Sequence, residues 1–88
     1  MPYIKPERRP PLDRIVDEVV DVLTGTPSQE WDGQLNYLIT RILKKLYEPS
    51  YLNYERVMGL LSCIQHEFYR RFIASYEDRK IVEYGDIC

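Results

Sequence analysis

The placement of proline limits what this chain can fold into more than any other feature. Four of the six prolines fall within the first eleven residues, one stands at Pro27 and one at Pro49. Proline fixes φ and lacks a backbone N–H, so it interrupts helices and biases the residue before it away from helical geometry. Three long proline-free stretches remain, 12–26, 28–48 and 50–88, behind an arm over residues 1–11 that should be extended or irregular. Tyr3 and Ile4 are the arm's two side chains able to dock it on the rest of the protein.

Each proline-free stretch carries helical periodicity. In the first, Ile15, Val16, Val19, Val20 and Leu23 recur at three and four positions, while Asp13, Asp17, Glu18 and Asp21 fall on the other side. The pattern predicts a helix from Leu12 with an acidic outer face. Its β-branched residues lower intrinsic propensity, so packing must supply most of its stability. Residues 24–33 mix glycine, proline and small polar residues, which reads as a loop with Gly25 as a helix C-cap.

Leu35, Leu38, Ile39, Ile42, Leu43 and Leu46 form the second stripe, from about Gln34 to Tyr47, with Asp32 near the start as a cap. Lys44 and Lys45 complement the dipole at its end, and Pro49 stops it. The third helix begins between Ser50 and Asn53 and is the longest, running to about Ser75. Val57, Leu60, Leu61, Ile64, Phe68 and Phe72 share one broad arc that must face a core. Met58, Tyr69 and Ile73 lie on the flank of that arc, roughly 100 to 160° round from Val57. Beyond Ser75 the chain predicts a short final helix, with Ile81 and Tyr84 turned inward and Gly85 ending it. The expected architecture is therefore all-α: a single domain over 12–88, built as a small bundle of three main helices plus a short C-terminal one.

An 88-residue chain lies near the size where only about 60–65% of the unfolded surface is buried, so help from a partner subunit is expected. Twelve basic against fourteen acidic residues leave a net charge of −2, which gives no field to draw in nucleic acid or an acidic membrane. Cys63 and Cys88 lack the number and spacing of a disulfide framework, which fits a cytoplasmic protein. The N-terminus has no apolar signal region, and no run approaches the ~18 apolar residues that span a bilayer.

The chemistry-bearing residues do not assemble into a reaction motif. Cys63 and His66 have a ligand-like spacing, but the chain offers only Cys88 to join them and no second histidine, short of the four ligands of structural zinc. Asp17, Glu18 and Asp21 invite comparison with helical nucleotide phosphohydrolases that hold magnesium between paired acidic motifs, yet the second motif is missing. A lone His66 beside Ser62 has nothing to orient it as a base. The dibasic pairs Arg8-Arg9, Lys44-Lys45, Arg70-Arg71 and Arg79-Lys80 resemble a weak single-strand binder only if they converge on one face. No metal, cofactor or catalytic residue is expected, and the alternatives to a binding role are a metal-dependent phosphohydrolase or weak nucleic-acid binding.

Contact fits better than catalysis. Eight tyrosines in the chain and a run of mixed aromatics and charges, Glu67-Phe68-Tyr69-Arg70-Arg71, supply residue types enriched in interface hot spots. Glu67 and Arg71 are spaced to pair along the helix at i,i+4. Met58, Tyr69, Arg70 and Ile73 then remain as the surface for a protein partner or a second copy, through which a homodimer would form.

The opening Met1-Pro2-Tyr3-Ile4-Lys5, the stretch Gly33-Gln34-Leu35-Asn36-Tyr37-Leu38-Ile39-Thr40, the run at 67–71, and Tyr76-Glu77-Asp78 with Gly85-Asp86 together resemble a family of short uncharacterised prokaryotic proteins, also found in phages. That family is classed as a domain of unknown function. The resemblance implies a small cytoplasmic protein and transfers no catalytic or binding residue. Ser75 stands where the resembled proteins carry a proline, so the third helix either ends there or runs on.

Overall fold

A computed structural model describes residues 2–88; Met1, with which the expected arm begins, lies outside them. The architecture is all-α, with no strand among the described residues. Helix α1 spans Pro10–Thr24, α2 spans Trp31–Leu46, α3 spans Tyr51–Phe68 and α4 spans Ala74–Tyr84. A π-helical turn, Tyr69–Ile73, joins α3 to α4 with no loop between them. The third main helix thus does not break at Ser75, and the C-terminal helix is its continuation.

Local chemistry explains the boundaries. The arm is less extended than its prolines suggest: Pro6–Arg8 forms a single 3-10 turn, and α1 starts at Pro10 rather than Leu12. Pro10 and Pro11 occupy the first two helical positions, where the missing N–H would have had no partner and the fixed φ is already helical. Gly25 does stand at the C-cap of α1, but with φ −76° rather than in the left-handed region. Its N–H bonds Val22 O at 3.3 Å, and a Cβ there would meet that same oxygen at 3.3 Å.

Helix α2 begins three residues earlier than its apolar stripe suggests, because Trp31 ties it to the end of α1. The indole Nε1 donates to Leu23 O at 2.7 Å and to Thr26 O at 3.2 Å, and Thr26 Oγ1 donates to Leu23 O at 2.8 Å. Orphan carbonyls at the α1 terminus are thereby satisfied. Asp32 is not the cap; it lies inside the first turn of α2, where its charge still opposes the dipole. Ser50 caps α3, its Oγ accepting from Asn53 N at 3.0 Å, and Asn53 Nδ2 reaches back to Glu48 O at 2.9 Å. The Arg56 guanidinium lies 5.1 Å from the ring centre of Tyr47, bracing the α2–α3 corner. Gly85 ends α4 with φ +90°, a conformation that side chains disfavour.

Packing departs most from expectation. Among the described residues only Leu23 is buried, at the α1–α2 corner where it borders one small cleft with Trp31 and Leu35. Of the arc expected to face a core within the chain, Val57 and Leu61 border a cleft against Leu43 and Tyr47 of α2, but the rest does not: Leu60 is 37% exposed, Ile64 54%, Phe68 57% and Phe72 56%. The radius of gyration is 16.8 Å, where a compact domain of this length has about 12 Å. Three helical rods define the chain, and their apolar stripes are not closed over one another.

Candidate functional site

The end of α3 and the π turn collect most of the residues with something to offer. In an α-helix each N–H bonds four residues back; here Ala74 N–H reaches Tyr69 O, five back. The wider turn loosens the carbonyl ladder. Ser75 Oγ donates to Arg71 O and Phe72 O, each at 3.2 Å, and so takes up carbonyls at the turn's exit. Phe68 and Phe72 meet across the turn edge to face, with ring centres 5.1 Å apart.

The N-terminal arm docks here. The Tyr3 hydroxyl donates to Glu67 Oε1 and accepts from Arg71 Nη1 at 3.2 Å and Arg70 Nη2 at 3.3 Å. Arg70 Nη2 also bonds Glu67 Oε1 at 2.7 Å. The expected Glu67–Arg71 pair is therefore replaced by Glu67–Arg70 at i,i+3, because a phenol from the far end of the chain stands between Glu67 and Arg71. The Tyr3 hydroxyl first, and the Arg70 guanidinium second, hold the Glu67 carboxyl below its ordinary pKa, while the same carboxylate raises that of Arg70. On the arm, Ile4 O accepts from Arg9 Nε at 3.1 Å and Nη2 at 3.0 Å, folding the segment back on itself.

Docking the arm shapes a groove of about 390 Å³, with Pro2 on one side and Leu60, Ile64, Phe68 and Phe72 on α3 and the π turn. Cys63 and Glu67 complete its lining. It is an apolar trough with one carboxylate at its margin, which suits a side chain or a helix rather than a reacting substrate.

Of the four residues singled out from sequence, Tyr69, Arg70 and Ile73 sit together in the π turn, all exposed. Met58 is exposed too, but eleven residues earlier, about 16 Å along the helix. Arg70 is not free, being held by Glu67. Tyr3 docks the arm as its place in the proline-rich segment suggested, whereas periodicity did not show that Glu67 is where it lands. Periodicity placed Phe68 and Phe72 in a core, where they are half-exposed and line the groove.

The other candidates stay apart. His66 Nδ1 lies 2.8 Å from Ser62 O, one turn back on its own helix. No group of three or more His, Cys, Asp or Glu side chains that could hold a metal ion occurs among the described residues, so Asp17, Glu18 and Asp21 find no facing carboxylates. Three of the four dibasic pairs are engaged within the chain: Arg9 on the arm, Arg70 and Arg71 at Tyr3, and Lys80 beside Glu83 at 3.3 Å and over the rings of Tyr76 and Tyr84. No helix of the described residues is long and apolar enough to cross a membrane.

The family whose profile matches the chain is described as "Domain of unknown function (DUF6899)", and the match covers residues 1–87. No curated protein and no solved structure matches it.

Proposed function

We propose that this chain, which belongs to the DUF6899 family of unknown function, is a non-enzymatic protein-interaction module that works through the apolar face of α3 and the π turn. One observation carries the reading. Leu60, Ile64, Phe68 and Phe72 stay half-exposed in a row along a groove, on a chain whose described residues form almost no buried core. A contiguous apolar surface of that kind marks a contact site in a soluble protein. Met58, Tyr69, Arg70 and Ile73 flank the row and supply the tyrosine and arginine typical of hot spots. We keep with this reading a cytoplasmic setting and an origin in prokaryotic hosts or their phages, which a consistent genomic neighbourhood would support.

Small-angle scattering combined with amide exchange tests the proposal. An interaction module gives either an assembly or an open monomer whose α3 face exchanges readily and binds an apolar dye. A compact monomer with a radius of gyration near 12 Å and a protected α3 face would sink it.

A further inference from the structure

The apolar face of α3 needs an occupant, and the geometry points to a second copy of this chain, packed antiparallel on the first copy's α3 about a two-fold axis at the level of His66. The inference rests on the interaction reading above and names its partner.

Surface area argues first. A compact chain of 88 residues exposes about 5,500 Å², whereas this one exposes 8161 Å². Bringing two such chains to ordinary compactness would remove about 5,300 Å² in total. That amount belongs with obligate homodimers, which bury about 2,000–5,000 Å² and more. It far exceeds what a transient encounter covers. A chain with so little buried cannot hold its fold alone, so its partner must be present whenever it folds. A second copy always is, and with a net charge of −2 two copies repel one another little.

Side-chain size argues for direction. The groove row on α3 is graded, with aliphatic Leu60 and Ile64 toward one end and Phe68 and Phe72 toward the other, while Val57 and Leu61 border a separate cleft against α2. Antiparallel packing about the midpoint sets Phe72 against Leu60 and Phe68 against Ile64 of the opposing helix, large against small along the whole seam. Parallel packing would crowd both pairs of phenylalanines at one end and leave only the smaller aliphatic side chains at the other. The antiparallel arrangement also opposes the two helix dipoles. Because a two-fold contact uses the same patch on both copies, it closes as a dimer and leaves no face for further growth.

The test needs the full chain with Cys63→Ser, Cys88→Ser and Glu77→Cys, carrying one spin label at position 77. Glu77 is exposed and lies outside the seam. Antiparallel packing puts the two labels about 33 Å apart along the axis, from a rise of 1.5 Å per residue. A label distance below about 20 Å signifies parallel helices and overturns the proposal. A monomeric mass at micromolar concentration also overturns it. If that monomer is open and binds an apolar dye, the interaction module survives with another partner; if it is compact, both readings fail. Phe68→Asp should weaken association by at least about thirtyfold, and unchanged association of this variant counts against the seam.

Discussion

Tyr3 and Arg71 lie 68 residues apart in the chain and are joined by a 3.2 Å hydrogen bond from the guanidinium to the phenol oxygen. With Glu67 and Arg70 around it, that oxygen is the point at which the N-terminal arm is held against α3. Tyr3→Phe keeps the ring and removes the oxygen. Trypsin cleavage after Arg8 should become severalfold faster while helix content by circular dichroism is unchanged. An unchanged cleavage rate would mean that the arm is held by something other than this hydroxyl.

Arm docking should depend on acid. Because Tyr3 and Arg70 depress the Glu67 pKa in the folded chain, the carboxylate's contribution is fully present above the ordinary carboxylate value, about 4.3. It is lost as pH falls through the depressed folded value. Acidifying from pH 7 toward pH 3 should therefore release the arm late in the descent, followed through the Tyr3 ring resonances. Glu67→Gln should release it at all pH values and remove that late transition.

Trp31 is the chain's one tryptophan and serves as both staple and reporter. Trp31→Phe deletes the donor to Leu23 O and should lower stability by about 1 kcal/mol, the usual net worth of such a bond. Chemical denaturation at one fixed protein concentration checks this, since an associating chain has a concentration-dependent midpoint. In the parent protein the same transition should be visible as a change in indole emission.

Ser50→Ala removes the side-chain cap of α3 and should cost about 1 kcal/mol by the same measurement. Ser50→Asn should restore most of the loss, since asparagine accepts from the same N–H. Failure of that rescue would show that the serine matters for something other than capping.

These residues also mark how far the sequence could be read. Ser50, Pro49 and Gly85 punctuate helices through their own backbone chemistry, and each boundary stands where it was expected within a residue or two. Trp31 escaped because its cap is a contact across a corner, with Leu23 eight positions back, and no local pattern encodes it. The π turn escaped for a different reason. A helical wheel assumes one rotation per residue throughout, and a single wide turn leaves no periodic trace in five residues. Phe68 and Phe72 were recognisable as apolar and cofacial, but periodicity marks a stripe without showing what, if anything, covers it. Tyr3 was legible as a side chain able to dock the arm, and residue type singled out Tyr69, Arg70 and Ile73 without deciding their role; that Tyr3 lands on Glu67 emerges only when the two ends of the chain are brought together.

The π turn leaves the long rod with one joint, and the winding of that joint sets the direction of α4. If Tyr69–Ile73 tightened to regular α geometry with the same residues, the eleven residues of α4 would swing about 100° around the rod's axis. The aromatic and cationic ladder of Tyr76, Lys80 and Tyr84 would then point along a different azimuth while α3 stayed where it is. The rod behaves as a crankshaft with one throw. Five residues decide the bearing of its far end.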